Sequence, residues 1–478
     1  MPLLPELGDR VRLRTNESEM GVVCYCGEIP GTSVGVWIGV DWDNPKRGKH
    51  NGSLHGIQYF TARTETSGSF VRPEALILGN DLIAEVSSKY ANDKISFATN
   101  DGRWEFVQLN RIYDKQKNIF DLKCIVLINT NVSHISASST RFDKCIELDL
   151  TGTLIAKWTN LFEILSYFPN LKTLHLNNTR MESLSSEKIL SVFTKVLQIS
   201  LQNAFLSTET ANLIVKVFPN LAEIYLACNA LDSYSPPLES SENLKQVDLQ
   251  QNEIPSISRI IRLSYLPRLE HLNLSQCGLQ NIRFDADNEE KIFPSLKVLN
   301  IENNPICEWS SIDELARLPK LEKLNAKALR LAGVPGLQSR ELIIAKLTKL
   351  IELDHCDVSE VERRSIELYV LKCLSSLDAM DPSHLRTKQR LERKFEDRQV
   401  QRVLSTSLSI HRVVCVAAKL LRFDPDEIVA VALERKGLSA ERICRTRDDL
   451  LSRFNLDDND RIVFLRRDRC SSGDKCFP

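Results

Sequence analysis

Residues 35–60 read G-V-W-I-G-V-D-W-D-N-P-K-R-G-K-H-N-G-S-L-H-G-I-Q-Y-F, and residues 67–74 add S-G-S-F-V-R-P-E. Six glycines (Gly35, Gly39, Gly48, Gly52, Gly56, Gly68) share this stretch with Trp37, Trp42, Tyr59, Phe60 and Phe70 and with the cations Lys46, Arg47, Lys49 and Arg72. Glycine lets backbone approach a ligand closely, aromatic rings offer flat apolar contact, and cations select an acidic partner. Together they point to a groove for an acidic peptide carrying an aromatic side chain.

The flanking residues read as short strands. Alternation in Arg10-Val11-Arg12-Leu13-Arg14 and in Gly21-Val22-Val23-Cys24-Tyr25 predicts two strands, Ile29-Pro30-Gly31-Thr32 a turn, and residues 35–41 a third, mostly buried strand. Residues 48–56 are too rich in glycine for regular structure, and Tyr59-Phe60 and Ser69-Phe70-Val71 resume the strands, giving a small β-barrel-like module with a long glycine loop. The succession G-x-R-V, G-x-V-x-Y-x-G-x-I-P-G-T, G-V-W-I-G-V-D-W-D, G-K-H-N-G, Y-F and S-F-V-R-P resembles the CAP-Gly domain over about residues 8–78. That family binds acidic C-terminal tails, of α-tubulin and related proteins, that end in an aromatic residue. Its signature G-K-N-D-G stands here as Gly48-Lys49-His50-Asn51-Gly52, so His50 and Asn51 replace the usual Asn and Asp.

In this reading Lys46, Lys49 and Arg72 attract the tail carboxylates, and His50 and Asn51 donate to the terminal carboxylate. Gly48 and Gly52 shape the loop, and Trp37, Phe60 and Phe70 hold the aromatic side chain. Charge-assisted hydrogen bonds contribute roughly 1.5–3 kcal/mol each when desolvated and less at a rim. The competing reading makes Trp37 and Phe60 barrel core and the lysines a solvated edge.

From Leu122 the chain repeats. The template L-x-x-L-x-L-x-x-N-x-L fits nine units whose last triplet members are Leu127, Leu150, Leu176, Leu201, Leu226, Leu249, Leu274, Ile301 and Ala326, at spacings of 23, 26, 25, 25, 23, 25, 27 and 25 residues. Each unit supplies one short strand, its apolar residues point into a shared core, and an Asn at the turn bonds neighbouring backbone. Asn229, Asn252 and Asn304 hold that position, with Thr130, Thr153, Thr179, Ala204 and Cys277 as substitutes. Phe168-Pro169, Phe218-Pro219, Leu266-Pro267, Phe293-Pro294 and Leu318-Pro319 end one unit before the next strand. The expectation is an α/β leucine-rich-repeat solenoid. Its concave face carries the residues between the leucines, among them Tyr225, Asp248, His271 and Asn300, a surface of amides, hydroxyls and five acids suited to a folded protein partner. His175 and His271 lie too many strands apart to pair in catalysis or metal binding.

The repeats are flanked by less regular segments. Between residues 80 and 120, residues 82–90 read as a short helix, and Ile95-Ser96-Phe97 with Trp104-Glu105-Phe106-Val107 as a hairpin around Asn100-Asp101-Gly102. Residues 346–357 look like a degenerate further unit. Residues 358–402 read as two charged helices divided by Pro382-Ser383-His384, a solvated connecting arm. In residues 403–478, a strand or hairpin suggested by the alternation from Leu404 to Ile410, a helix over 413–422, a strand over 428–433 and a final strand over 461–465 resemble a ubiquitin-like α+β domain. The chain ends Asp474-Lys475-Cys476-Phe477-Pro478 and not Gly-Gly, so a fixed interaction module is expected. The domain boundaries are thus 1–79, 80–120, 121–357, 358–402 and 403–478.

Composition bounds the function. The 478 residues, 42% of them hydrophobic, suffice for about three packed domains. A net charge of −1 argues against a general nucleic-acid binder. No apolar run nears the ~18–20 residues of a membrane span, and M-P-L-L-P-E-L-G-D lacks a secretory pattern, so a soluble cytoplasmic protein is expected. Thirteen scattered cysteines without zinc spacing, such as Cys124 and Cys415 in apolar runs, read as reduced and structural. P-loop, nucleophile-elbow, zincin and dinucleotide motifs do not occur, so no catalytic residue, metal or cofactor is expected.

The order of the three modules resembles the tubulin folding cofactor E family, whose CAP-Gly domain also has His at the third loop position. The resemblance implies a chaperone of the microtubule cytoskeleton that holds α-tubulin and assembles or dissociates the αβ heterodimer with other tubulin cofactors and a small GTPase. Any GTP hydrolysis would belong to tubulin. A second reading is an adaptor that links tubulin or microtubules to ubiquitin-dependent degradation, meeting a proteasome component through the last domain.

Overall fold

Alternation decides the first sheet. A computed structural model of the chain describes residues 4–91, 118–189, 191–284, 292–377, 379–396, 409–421, 428–434, 441–443 and 461–466. It forms two compact units, residues 1–393 and 394–478. In the first, strands β1 (Arg10–Leu13), β2 (Asn16–Gly27), β3 (Trp37–Trp42), β6 (Gly68–Val71) and β7 (Leu76–Ile77) make an antiparallel sheet ordered β6-β3-β2-β1-β7. Every second residue of β3, Ile38, Val40 and Trp42, enters a core with Val11, Leu13, Val23 and Leu76. Trp42 Nε1 donates to Ser69 Oγ at 2.7 Å, so the indole is buried without an orphaned donor.

Two sequence expectations change here. The glycine loop does hold regular structure, a two-residue hairpin of β4 (Ser53–Leu54) and β5 (Ile57–Gln58). Its turn places His55 and Gly56 at φ 50° and 77°, the signs a tight hairpin needs. Tyr59-Phe60, by contrast, is no strand; it is an irregular segment that folds Phe60 inward.

β8 (Asn80–Asp81) pairs with β10 (Val132–His134), and helix α1 (Leu82–Ala91) buries Leu82 and Val86 at the start of the repeats. Tyr90 Oη accepts from Val126 N on the edge strand β9 (Cys124–Val126) at 2.9 Å, occupying a group that an open edge would leave unpaired. The hairpin expected at residues 95–107 lies outside the described residues.

The repeats form one ladder of parallel strands. β9 is followed by β11 (Glu147–Asp149), β12 (Thr173–His175), β13 (Gln198–Ser200), β14 (Glu223–Tyr225), β15 (Gln246–Asp248), β16 (His271–Asn273), β17 (Val298–Asn300), β18 (Lys323–Asn325) and β19 (Glu352–Leu353), all parallel and in register. The middle residue of each strand, from Ile125 to Leu353, is buried. Asn252 shows why Asn recurs at the turn. Its Oδ1 accepts from Asn229 N (3.1 Å) and Leu231 N (2.9 Å), and its Nδ2 donates to Leu226 O (3.0 Å) and Leu249 O (2.8 Å), satisfying backbone of two units at once. Where the sequence substitutes Thr153 or Cys277, the hydroxyl or thiol donates to Leu150 O or Leu249 O instead. The residues before the prolines, Phe168, Phe218, Leu266, Phe293 and Leu318, are all buried behind the strands.

The antiparallel strand β20 (Cys356–Asp357) ends the ladder. The two charged helices expected as a free arm instead pack on this end, and Pro382 opens the second one rather than separating them. They are α6 (Glu360–Ser375) and α7 (Pro382–Glu396), and they follow α2 (Trp158–Ser166), α3 (Thr208–Val217), α4 (Trp309–Leu315) and α5 (Ser339–Lys346) of the repeats. Lys346, 6% exposed, donates to Ser383 Oγ (2.6 Å), Thr387 Oγ1 (2.9 Å) and Asp313 Oδ1 (2.9 Å). Burial pulls its pKa below the usual lysine value. Arg363 donates to the Ile344 and Leu347 carbonyls, and Arg390 to that of Ala345, capping the carbonyl end of α5.

In the second unit helix α8 (Ile410–Leu421) accompanies a three-stranded antiparallel sheet of β21 (Ile428–Glu434), β22 (Glu441–Ile443) and β23 (Arg461–Arg466), with β21 central. Ile410, expected in a strand, begins the helix. The rest of that alternating stretch, residues 404–408, lies outside the described residues.

Candidate functional site

The opposite face of β3 carries Trp37, Gly39 and Asp41. Gly39 pairs with Tyr25 on one side and Phe70 on the other. A Cβ at Gly39 would stand 2.5 Å from Phe60 Cε1, so glycine here makes the slot that Phe60 fills. Phe70 is the hub of the resulting cluster: its ring centroid lies 5.0 Å from His50, 5.5 Å from Tyr59 and Phe60 and 6.0 Å from Tyr25. The last three are edge-to-face pairs, the arrangement the ring quadrupole favours. Phe60 is buried and Phe70 half-buried, so of the two rings Phe70 is the one that an approaching group can reach.

The glycine loop hangs from one carbonyl. Gly68 O accepts from Lys49 N (2.7 Å) and His50 N (3.2 Å), while Gly68 N donates to His50 O (2.8 Å). A side chain at Gly48 would meet Ser67 C at 2.5 Å, which explains the residue. His50 Nδ1 accepts from Gly52 N at 3.0 Å, so the ring proton sits on Nε2. Burial, and then the charge of Lys49, lower the His50 pKa, which favours the neutral imidazole.

The remaining expected residues are placed with different freedom. Lys46 and Lys49 are exposed and able to meet an acidic chain. Arg72 lies with its Cζ 3.9 Å over the Trp37 ring and donates to Val36 O (3.1 Å) and Ser33 O (2.9 Å). It therefore braces Trp37, whose Nε1 donates to Thr32 Oγ1 at 2.9 Å, and its charge is partly spent. Asn51 Oδ1 accepts from Ser53 N and Oγ, and Nδ2 donates to Glu65 Oε2 at 3.0 Å, so its side chain is largely engaged in holding the loop. Tyr25 and Tyr59 join the cluster without having been assigned to it. The alternation that pairs Tyr25 with Gly39 could have revealed the first; Tyr59 arrives through an irregular segment.

Along the repeats Tyr225, Asp248, Asn273 and Asn300 stand in one row across adjacent strands. His271 lies in the neighbouring row, with Glu223, Gln246 and Val298. Tyr225 Oη donates to Glu223 Oε2 at 2.8 Å; burial and that bond push its pKa up to about 12. The Asp248 and Asn300 oxygens accept from Gln250 N and Glu302 N, so each closes its own turn. Burial raises the Asp248 pKa. His175 and His271 are four strands apart, about 19 Å at ~4.8 Å per strand. Among the described residues no group of three or more His, Cys, Asp or Glu is arranged to hold a metal ion. Nor is any described helix long and apolar enough to cross a membrane.

Comparison with known proteins adds four matches. The CAP-Gly domain family model matches residues 7–76. The chain is 31% identical over 380 residues to tubulin-specific chaperone E of Mus musculus, covering 76% of this chain and 71% of the mouse protein. It is 30% identical over 398 residues to tubulin-folding cofactor E of Arabidopsis thaliana, covering 78% and 74%. A solved leucine-rich-repeat protein of Leptospira interrogans aligns with 54% of this chain and 61% of its own at a TM-score of 0.35 and 21% identity. The repeat architecture rests on the strand ladder itself.

Proposed function

The chain belongs to the tubulin-specific chaperone E family, and from that premise we propose that it is a tubulin-folding chaperone that holds α-tubulin at two surfaces. The groove takes the acidic C-terminal tail: Lys46 and Lys49 meet its carboxylates, His50 Nε2–H donates to the terminal carboxylate, and Phe70 with Phe60, Tyr25 and Tyr59 receives the terminal aromatic ring. The repeat face, with Tyr225, Asp248, His271 and Asn300, takes the folded body. The chain acts by binding, together with other tubulin cofactors and a small GTPase, in assembling or dissociating the αβ heterodimer in the cytoplasm. The ubiquitin-like domain is the third interaction module.

What supports this reading is that the exposed Lys46 and Lys49, the aromatic cluster around Phe70 and the repeat strands lie within one compact unit. Two weak contacts then reinforce each other. For a tail contact of about 10 μM and an effective concentration of about 1 mM, the second contact gains roughly 100-fold. Lys49→Ala and Phe70→Ala should weaken capture of intact α-tubulin and leave capture of tail-less α-tubulin unchanged. Equal weakening for both forms would show that the groove does not read the tail.

A further inference from the structure

The amino-terminal module meets the repeats through buried polar groups. Arg12, 2% exposed, donates to Asn131 Oδ1 (3.1 Å), Thr130 O (3.2 Å) and Gly152 O (2.6 Å). A second contact reaches further. Arg180, from the third repeat, donates from Nη2 to Asp41 Oδ2 at 2.8 Å. The Asp41 side chain is nearly inaccessible, and its other oxygen accepts from Ser67 Oγ (2.6 Å) and Arg63 N (3.2 Å). Ser67 precedes Gly68, whose carbonyl carries Lys49 and His50. Three bonds thus connect a repeat side chain to the loop of the peptide groove.

We propose that Arg180 is a positioning residue for the groove: it holds Asp41, and through Asp41 the Ser67-Gly68 rail from which the Lys49-His50 loop hangs. The chemistry requires a cation at this point. Asp41 is a buried carboxylate, and its ion-pair partner among the described residues is Arg180. The nearer arginine, Arg63, directs its guanidinium to Asp43 O (2.6 Å) and lies 4.2 Å over the Phe205 ring. Without Arg180 the buried carboxylate would lose its ion-pair partner and keep only Ser67 Oγ and Arg63 N as hydrogen-bond donors, and it would move toward water, drawing Ser67 with it.

Phe205 supports the assignment independently. It sits at φ 54°, left-handed for a bulky residue, and the same turn position in two of the later repeats is Ala230 (φ 53°) and Gly278 (φ 74°). The repeat geometry is therefore kept while the small residue is replaced by a ring that packs beneath Arg63 and lies 5.6 Å from Arg180. The ring thus packs against two guanidiniums, that of Arg63, which donates to Asp43 O, and that of Arg180, which donates to Asp41.

This inference rests on the groove reading above, and its test separates the two. Hydrogen exchange over residues 46–54 and 64–70, and affinity for a synthetic acidic peptide with a free C-terminal aromatic residue, are measured on the full chain. The variants are Arg180→Ala, Arg180→Lys, Phe205→Ala and Lys157→Ala. Lys157 reaches Glu6 and Asp9 at the same junction but not Asp41, so its variant is the control. Arg180→Ala should speed exchange of the Lys49 and His50 amides about 10-fold and raise the peptide Kd about 5-fold. Arg180→Lys should recover part of both, Lys157→Ala should change neither, and Phe205→Ala, whose backbone suits alanine as at Ala230, should act in the same direction more weakly. Loop exchange and affinity at the wild-type level, with loosening confined to the repeat side, would overturn the proposal. If the wild-type chain does not bind the peptide, the tail reading falls, and the loop exchange alone still decides the role of Arg180.

Discussion

Gly52 and Gly56 lie four residues apart in the same loop, both at positive φ, yet their surroundings predict opposite outcomes for alanine. At Gly52 φ is 101°, and an added Cβ would collide with the Phe60 carbonyl, 2.7 Å from its carbon and 3.0 Å from the Phe60 ring. The backbone strain costs about 1–2 kcal/mol, and the collision, which only movement of main chain relieves, about 1–3 kcal/mol more. Because Phe60 packs against Phe70 and Gly52 N fixes the His50 ring, the movement disorders the site itself. If the loop reaches its binding geometry only against about 2 kcal/mol, peptide affinity falls roughly 30-fold. At Gly56 φ is 77° and nothing lies within 4 Å of the added carbon. Gly56→Ala therefore pays about 1 kcal/mol of local strain and should leave affinity within about 2-fold. Titration calorimetry of both variants with the acidic, aromatic-ended peptide makes the comparison. Equal losses, or wild-type affinity in Gly52→Ala, would refute the packing argument.

Two further expectations follow from the same contacts. Asn252→Ala strands two buried N–H groups, those of Asn229 and Leu231, and leaves Leu226 O and Leu249 O with one side-chain donor each, so it should destabilise the central repeats by about 2–5 kcal/mol, seen as faster hydrogen exchange over residues 222–254 and a lower urea midpoint. A loss under about 1 kcal/mol would contradict the ladder's role. His50 has a folded pKa below its unfolded value, so the stability it contributes is present above about pH 6.5 and is lost as pH falls through the lowered folded pKa. Thermal melts between pH 7.5 and 5 should show a steeper decline for wild type than for His50→Gln, and parallel curves would remove His50 as the cause.

Periodicity made the solenoid readable. A middle apolar residue and a turn Asn recurring at near-constant spacing fix the strand, its register and its neighbour contacts together, and Asn229, Asn252 and Asn304 sit as their spacing implies. Alternation likewise separates Trp42, a core residue with Ile38 and Val40, from Trp37 on the groove face. What escaped the sequence depends on distant partners. Arg180 and Asp41 are 139 residues apart, and nothing local in either announces the pair. The charged helices looked solvated because Lys346, Arg363 and Arg390 read as surface charges, whereas their partners are hydroxyls, a carboxylate and backbone carbonyls at the end of the solenoid. Lys49 and Phe70 stand out as candidates by residue type alone, but the bracing roles of Arg72 and Asn51 are set by carbonyls and carboxylates that only the folded loop brings near.

Capture of α-tubulin at two surfaces is most directly tested by comparing the affinity of the full chain for intact α-tubulin and for α-tubulin lacking its acidic C-terminal tail. Loss of the tail should weaken binding by roughly 10- to 100-fold while leaving a measurable contact through the repeats. Equal affinity for the two forms would contradict the tail-reading groove, and complete loss of binding would contradict the repeat face.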